Sequence, residues 1–220
     1  MRRNRRGDYL VQFCREAKIL REAEETGEHY LLAGGGHTGT LFEFSQALGN
    51  WSLGMTLSGI ALEELERLGV ADKIDIIATP TIGAIPFAVH LQHAFERHHL
   101  KIPSMIYGEK SDAGMVISRF SIPPESRILF VDDVFTTGGT LYKLASAVAI
   151  RELMTTVAGI FAIINRSESI MREMFCPPAR RFIKIHALAD YRSPVYLPKE
   201  CAYCKRKIPL MKDGVQVEIA

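Results

Sequence analysis

The sequence predicts an α/β fold, with a doubly wound, mainly parallel sheet that carries helices on both faces. The chain has 220 residues, 47% of them hydrophobic, which is enough for the core of one such domain. Beyond residue 58, predicted strands alternate with predicted helices, as in βαβ units. The strands are unbroken apolar runs such as Ile128-Leu129-Phe130-Val131, and such runs are typical of strands that are covered on both faces.

Residues 1–57 are interpreted as an N-terminal helix followed by the elements of a small hood. Apolar residues at helical spacing predict a helix over residues 8–25. Residues 27–32 then form a predicted short strand, which runs into Gly34-Gly35-Gly36. Successive glycines permit backbone conformations that other residues resist, so a loop or a tight hairpin is expected here.

Residues 58–193 form the predicted core, and the change of composition at Pro194 marks the start of a tail rich in Pro, Cys and Lys. We therefore expect a single domain over residues 1–220, with residues 194–220 as its tail. In chain order the core pattern indicates a helix at 58–68, a strand at 74–78, a helix at 85–99, strands at 104–107 and 127–131, a helix at 141–153, and strands at 157–164 and 182–188.

The composition argues against several classes of protein. The formal net charge is only +2, so nucleic acid is not the expected partner, and no apolar run reaches the roughly 18–20 residues that span a membrane. The basic residues Arg2, Arg3, Arg5 and Arg6 lack an apolar face and are interpreted as a solvated terminus. No apolar signal segment follows Met1, and the cysteines suggest no oxidised framework, so we expect a cytoplasmic protein.

The segment after the strand 127–131 carries the strongest signal for chemistry. In a doubly wound sheet, ligands bind beyond the carboxyl ends of the strands. A helix N-terminus with glycines and threonine hydroxyls suits a phosphate, whereas two adjacent carboxylates suit ribose hydroxyls or hydrated Mg²⁺. Both features occur together, which predicts a site for a ribose 5-phosphate. The segment reads Asp132-Asp133-Val134-Phe135-Thr136-Thr137-Gly138-Gly139-Thr140 and leads directly into a helix.

This segment resembles the 5-phosphoribosyl 1-pyrophosphate (PRPP) signature of the type I phosphoribosyltransferases, and similarity to orotate enzymes of that family extends over nearly the whole chain. Lys110 begins a polar stretch that looks like the family's mobile catalytic loop. Arg166 resembles the strand-end arginine that meets the pyrimidine in orotate enzymes, and the tail 198–210 is similar to that of a short bacterial and archaeal type. The stretch that resembles the pyrophosphate loop contains Pro80, Thr81, Ile82 and Gly83.

The resemblance implies an Mg²⁺-dependent enzyme that joins a nucleobase, orotate in the first place, to PRPP and releases pyrophosphate. Residues 132–140 would bind PRPP, with Asp132 and Asp133 under the ribose, and Lys110 would add positive charge over the leaving group. The base-binding residues would be Thr136, Arg166 and Phe42. A homodimer is expected, because the family's mobile loop commonly reaches a neighbouring active site.

One segment departs from the orotate pattern. Orotate enzymes usually carry a Thr/Lys-Ser-Gly-x-x-Ser segment near the N-terminus, often followed by aromatic residues that pack on the base. In residues 33–42, Gly35 and Phe42 can be aligned with this pattern, but the serines cannot. Two alternatives therefore stay open: a phosphoribosyltransferase for another base, and a regulator that senses PRPP without catalysis. Lys110 and Arg166 favour the enzyme.

The tail contains half of a possible structural zinc site. Cys201-x-x-Cys204 has the spacing of a zinc-binding cysteine pair, and a second pair of ligands is not nearby in the sequence. His186, Cys176 or another copy of the chain would have to complete the site. The alternative is a reduced cysteine pair that packs in the tail.

Overall fold

The structure is a computed structural model that describes residues 5–32, 34–80, 82–112 and 114–218. In chain order its strands are β1 (Leu20–Glu22), β2 (His29–Leu31), β3 (His37–Thr38), β4 (Thr40–Phe42), β5 (Ile76–Pro80), β6 (Ser104–Ser111), β7 (Gly114–Val116), β8 (Arg127–Phe135), β9 (Thr156–Asn165), β10 (Glu173–Cys176), β11 (Arg181–Asp190), β12 (Leu210–Lys212) and β13 (Val215–Val217). The α-helices are α1 (Arg5–Glu16), α2 (Ala23–Thr26), α3 (Ser45–Gly49), α4 (Trp51–Arg67), α5 (Ile85–Arg97), α6 (Gly139–Arg151) and α7 (Ala202–Lys205).

A seven-stranded sheet in the order β10-β11-β9-β8-β5-β6-β7 forms the centre of the fold. The five inner strands run parallel to one another, and the edge strands β10 and β7 run antiparallel to the strands beside them. The carboxyl ends of the parallel strands β5, β8 and β9 therefore meet at one edge of the sheet. This is the edge at which the sequence places its chemistry.

Both faces of the sheet are covered by helices, as the sequence predicts. On strand β8, Leu129 and Val131 belong to a buried cluster that includes residues of α4 and α5. Ile128 and Phe130 belong to a second buried cluster, which includes residues of α6. Since side chains alternate along a strand, the unbroken apolar run supplies both cores at once. Among the described residues, no helix has both the length and the apolar composition required to cross a membrane.

A second, four-stranded sheet in the order β13-β12-β2-β3 joins the two ends of the chain, and we call it the terminal sheet. Strand β12 of the tail runs parallel to β2, with Leu210 opposite His29. Strands β1 and β4 form a separate two-stranded ribbon. The tail is therefore built into the same sheet as the N-terminal strands.

The predicted helix over residues 8–25 is broken into three elements. Helix α1 ends at Glu16, and Lys18 adopts a left-handed backbone conformation with φ of 57°. Strand β1 follows and pairs antiparallel with β4, with Leu20 opposite Phe42. The apolar spacing continues through this region, but pairing with a strand twenty residues further along the chain overrides it. A tertiary partner of this kind leaves no local signal.

Several predicted elements are present with different ends. Helix α4 begins at Trp51, because the Asn50 side chain accepts a hydrogen bond from the Leu53 amide at 3.1 Å, so the division between residues 57 and 58 falls inside this helix. Strand β8 continues to Phe135, where its partner β9 still pairs through Asn165. The two aspartates thus lie within the strand rather than after it.

Candidate active site

Asp132 and Asp133 lie in the last part of β8, near the carboxyl edge of the sheet. The Asp132 Oδ1 accepts from the Asp133 amide at 3.1 Å, and the Asp133 Oδ1 accepts from the Val134 amide at 2.8 Å. Burial and the neighbouring Asp133 charge raise the pKa of Asp132 well above its ordinary value, and burial also raises the pKa of Asp133. The pair is therefore electrostatically unfavourable unless a cation or hydrogen-bond donors approach it.

The loop after β8 delivers the N-terminus of α6 to the same edge. Gly138 adopts a left-handed conformation with φ of 75°, and a Cβ there would lie 2.8 Å from the Met174 sulfur and 2.9 Å from the Phe135 ring. Only glycine suits this position. The N-cap residue Gly138 has no side chain to cap α6, and the Thr137 hydroxyl accepts only a long hydrogen bond, at 3.4 Å, from the Gly139 amide. The other amides of the first turn and the exposed Thr140 hydroxyl can therefore face an anion.

The loop after β5 approaches the carboxylate pair. A Cβ on Gly83 would lie 3.2 Å from the Asp133 Oδ2, so the backbone at this glycine lies directly against the carboxylate. Pro80 ends the buried strand β5, and Ile82 is exposed. Thr81 lies outside the described residues. The structure thus brings together the two segments that the sequence predicts to bind PRPP.

Lys110 lies on an extended hairpin. Strand β6 continues four residues beyond the predicted end at 107 because it pairs with β7, with Lys110 opposite Met115. Lys110 is exposed, and within the described ranges its side chain has no hydrogen bond or ion pair. Arg119, which follows the hairpin, pairs instead with Glu109 at 2.7 Å. Lys110 is therefore the free cation that the hairpin presents.

Arg166 follows β9 and is almost completely buried, with 2% of its surface exposed. Its backbone amide donates to the Phe135 carbonyl at 2.7 Å, beside Thr136. Nη1 donates to the hydroxyls of Thr38 at 3.1 Å and Ser193 at 3.0 Å, while Nη2 has no partner in the described part of the chain. Burial lowers the pKa of this guanidinium to about 10. A buried cation with a free donor is a fit for an anionic ligand group.

The hydroxyl groups around Arg166 form a small network that sequence reasoning missed. Thr38 and Thr40 both hydrogen-bond the Ser193 hydroxyl, and Thr40 also lies 3.5 Å from the Arg166 Nη1. Thr38 and Arg166 are separated by 128 positions in the chain. Threonine and serine hydroxyls carry no distinctive pattern, so no signal in the sequence could have identified them.

Phe42 is mainly a core residue, with 6% of its surface exposed. Its ring stacks on Phe44 at 6.2 Å and meets Tyr191 edge-on at 5.2 Å. It also lines a cavity of about 220 Å³ that reaches Asp133. The rest of the wall comes from two sources, the terminal sheet with its hairpin and the β1–β4 ribbon with the residues that follow it. The terminal sheet contributes Tyr30, Leu31, Met211, Asp213 and Gly214, and the ribbon side contributes Arg21, Leu41, Glu43, Phe44 and Ser45.

The glycine-rich segment that departs from the orotate pattern is explained by packing against the tail. The amide of Gly35 donates to the Leu32 carbonyl, so the segment is a tight hairpin between β2 and β3. A Cβ on Gly36 would lie 2.6 Å from Val195, and one on Gly39 would lie 2.2 Å from the Tyr203 hydroxyl. Larger residues at these positions would push the tail away.

The cysteine pair of the tail does not meet the partners expected for it. Cys176 is buried in the core with α6, and His186 lies on β11. Cys201 and Cys204 lie instead beside His29 and His37 of the terminal sheet. The expected partners were wrong because strand pairing between the two ends of the chain, which the sequence does not reveal, brings these histidines to the tail.

Comparison with known proteins supports the same family as the sequence motifs. No protein-family model matches the chain. A curated orotate phosphoribosyltransferase from Pelotomaculum thermopropionicum is 28% identical over 187 residues, which are 84% of this chain and 88% of the relative. Further curated proteins with this name match at 24% to 29% identity.

Solved structures show the fold. The orotate phosphoribosyltransferase of Aeropyrum pernix superposes with a TM-score of 0.59 at 18% identity, over 82% of this chain and 93% of that chain. The adenine phosphoribosyltransferase of Saccharomyces cerevisiae, solved with adenine, reaches 0.51 at 17% identity, over 68% and 86%. This chain has the type I phosphoribosyltransferase fold, and its predicted resemblance to orotate phosphoribosyltransferases is confirmed.

Proposed function

We propose that this protein is an orotate phosphoribosyltransferase, which joins orotate to PRPP and forms orotidine 5′-phosphate and pyrophosphate. The observation that carries the proposal is the juxtaposition of the carboxylate pair Asp132 and Asp133 with the glycine- and threonine-rich N-terminus of α6 at the carboxyl edge of the sheet. Curated relatives of matching length that carry this name support the choice of reaction.

The residues that hold PRPP follow from their chemistry. The segment 136–140 binds the 5-phosphate through first-turn amides and hydroxyls. Asp132 and Asp133 accept hydrogen bonds from the ribose hydroxyls, and they stabilise the positive charge that builds on the sugar as pyrophosphate leaves. The backbone around Pro80 and Gly83 faces the pyrophosphate.

Mg²⁺ fits this arrangement. Carboxylate oxygens are the ligands that it prefers, and a cation offsets the burial and the charge repulsion that raise the pKa of Asp132. Asp132 and Asp133 would hold it, largely through substrate hydroxyls and water. When bound, it neutralises charge on the pyrophosphate.

Arg166 is the proposed recognition element for the base. Its free Nη2 can donate to the carboxylate or a ring carbonyl of orotate, while the Thr38 and Ser193 hydroxyls orient the guanidinium. Phe42 and Thr136 contribute the adjoining surface. Adenine and hypoxanthine lack a carboxylate, so a buried arginine with an unsatisfied donor favours orotate over a purine.

We further propose that the protein acts as a homodimer. Lys110 lies on an exposed hairpin, and its side chain has no hydrogen bond or ion pair with the described residues. In this arrangement its ammonium group reaches the pyrophosphate of a neighbouring subunit and adds positive charge to the leaving group.

The proposal is tested by mixing the purified protein with PRPP, Mg²⁺ and one base at a time, and by following pyrophosphate release. Orotate should support turnover, while adenine and hypoxanthine should not. The variant Asp132→Asn/Asp133→Asn, purified identically, controls for contaminating enzymes. Turnover with a purine but not with orotate would leave phosphoribosyl transfer in place and overturn the base. PRPP binding without turnover on any base would indicate a regulator.

A further inference from the structure

Four potential metal ligands converge where the tail meets the N-terminal strands. The ligand atoms of His29, His37, Cys201 and Cys204 all lie within 4.8 Å of one another. His29 Nε2 is 3.3 Å and His37 Nδ1 is 3.2 Å from the Cys204 Sγ. Around a zinc ion, tetrahedral ligand atoms would be about 3.3–3.8 Å apart, given the usual metal–ligand bond lengths. The four side chains are thus already close to the spacing of a metal site.

Burial and fixed backbone positions make this cluster a built site rather than a chance group on the surface. His29, His37 and Cys201 have at most 4% of their surface exposed. His29 begins strand β2, and the backbone of His37 exchanges two hydrogen bonds with Tyr196, at 2.9 and 2.8 Å. The backbone of both histidines is therefore held in place.

The second nitrogen of His29 has the partner expected of a metal-binding imidazole. Its Nδ1 donates to the Pro209 carbonyl at 3.0 Å. This bond defines the tautomer and leaves the lone pair of Nε2 directed toward Cys204. The Tyr203 ring stacks on His29 at 5.6 Å, and the Tyr203 hydroxyl donates to Glu24 at 3.1 Å. These contacts orient the imidazole from outside the cluster.

We propose that His29, His37, Cys201 and Cys204 bind one structural zinc ion that fastens the tail to the N-terminal part of the chain. Two histidines and two cysteines form a closed, four-ligand donor set, which is typical of structural rather than catalytic zinc. The bound ion cross-links the two ends of the chain, as a disulfide would. It requires reduced thiols, and the four cysteines are free in the structure.

The zinc site also has a consequence for the active site, which rests on the proposed function. His37 is followed directly by Thr38, whose hydroxyl accepts from the Arg166 guanidinium at 3.1 Å. Zinc at His37 therefore holds in place the strand that orients Arg166. Among the described residues, no side-chain hydrogen bond joins the strand of His37 to Asp132, Asp133 or the phosphate loop in this way.

Metal content tests the proposal without reference to activity. The full chain, purified in the presence of Zn²⁺ and passed over a desalting column, should retain one equivalent of zinc by plasma mass spectrometry. Cys204→Ser should reduce the zinc content at least about tenfold. The variants Cys14→Ala and His93→Gln change the same residue types outside the cluster and should retain the metal. Folded wild-type protein that takes up no zinc, or Cys204→Ser with unchanged content, would overturn the site.

Cobalt provides a readout that needs no variant. Co²⁺ loaded into the chelator-stripped wild-type chain should produce the intense visible bands of tetrahedral coordination and the near-ultraviolet charge transfer of thiolate ligands, and Zn²⁺ should abolish both. An octahedral spectrum, or one without thiolate bands, would contradict the four-ligand assignment even if Cys204→Ser does not fold.

Kinetics separate the metal site from the proposed function. Removing zinc should raise the KM for orotate about tenfold while the KM for PRPP changes less than about twofold, because the loss acts through Thr38 and Arg166. If zinc binds but both Michaelis constants stay unchanged, the site remains and its link to Arg166 fails. If zinc binds and no base is turned over, the proposed function fails while the site stands.

Discussion

In the described part of the chain, the proposed active site contains charged side chains that are buried or half-buried and have no protein counter-charge. Asp132 and Asp133 are adjacent carboxylates near the end of β8, and among the described residues the Arg166 guanidinium donates to hydroxyls and not to a carboxylate. Each arrangement is costly in the free protein, because desolvation disfavours the charged form. A ligand that carries both hydroxyl groups and a carboxylate relieves both costs, as the proposed pair of substrates would.

The variant Asp132→Asn/Asp133→Asn should lose activity and gain stability. We expect turnover to fall by about a hundredfold or more, since stabilisation of the sugar cation is lost. The free energy of unfolding of the ligand-free variant at pH 7 should rise on the order of 1 kcal/mol, because the repulsion between the carboxylates disappears. Urea unfolding and pyrophosphate release measure the two effects, and a loss of both stability and activity would argue that the pair is structural.

The same pair predicts the pH dependence of stability. The pKa of both carboxyl groups is raised in the folded protein, so their contribution is fully present below the unfolded pKa of about 4 and is lost as pH rises through the folded values. Urea unfolding of the ligand-free wild type between pH 4 and 7 should show this decline. The asparagine variant should lack it.

Arg166→Lys should weaken binding of orotate far more than binding of PRPP. Lysine keeps the charge but lacks the second planar donor, and losing one charge-assisted hydrogen bond costs about 1.5–3 kcal/mol, or roughly ten- to a hundredfold in KM. Steady-state kinetics with each substrate varied in turn measure the effect. Arg172→Lys, at an exposed ion pair with Asp190, is the matched control. Equal changes in both Michaelis constants would contradict a role in base recognition.

At the level of strands, the amino ends and the carboxyl ends of the central strands carry different kinds of charged group. At the amino edge, Asp75 joins the starts of three strands, because it accepts from Arg127 at 2.8 and 3.1 Å and from Lys101 at 2.6 Å. In this network the Asp75 carboxylate and the two cations are paired with one another. Among the described residues, the charged groups of the proposed active site that lack a protein counter-charge lie at the carboxyl ends, where the proposed ligands bind.

Asp75→Asn should destabilise the protein by about 1 kcal/mol at pH 7 without changing its KM values, since the ion pairs are partly exposed. Hydrogen bonds from Arg127 lower the pKa of Asp75. The contribution is therefore fully present above the unfolded pKa of about 4 and is lost as pH falls through the folded value. Urea unfolding at pH 7 and at pH 3 should show the difference between wild type and variant shrinking. The exposed Asp112→Asn should show no such pattern.

At the scale of the whole molecule, strands from the N-terminal part and from the tail together form one sheet. Strands β2 and β3 would form only a short hairpin on their own, and β12 and β13 only another. Pairing of β2 with β12 makes a four-stranded sheet, which lines the cavity beside Asp133. Removal of the tail should therefore affect the active site as well as stability.

The proposed action of Lys110 in the site of the neighbouring subunit is testable by complementation. Lys110→Ala and Asp132→Asn/Asp133→Asn should each be nearly inactive alone. After subunit exchange, mixed dimers have one complete site, so an equimolar mixture should recover roughly a quarter of wild-type activity. Native mass spectrometry with one variant isotopically labelled confirms that mixed dimers form, and sedimentation velocity reports the oligomeric state. Recovery near zero despite mixing would show that Lys110 does not act across the interface, and a wild-type monomer at micromolar concentration would exclude the dimer.

The sequence alone determined the five parallel strands of the central sheet and the candidate PRPP site, whereas the edge strands β7 and β10 were not predicted. Both depend on contiguous residues: unbroken apolar runs are covered on both faces wherever they occur, and residues 132–140 carry their carboxylates, glycines and hydroxyls in one segment. Such features appear in the sequence because the interacting groups are also neighbours in the chain.

Only the tertiary structure decided what surrounds that site. Cys204 meets His37 across 167 positions and Arg166 meets Thr38 across 128, and strand β1 exists only because β4 pairs with it. Histidines, threonines and a short strand carry no local mark of such partners. Contacts between distant segments depend on how the whole chain packs, so the zinc ligands and the support of Arg166 became visible only when the two ends of the chain were placed side by side.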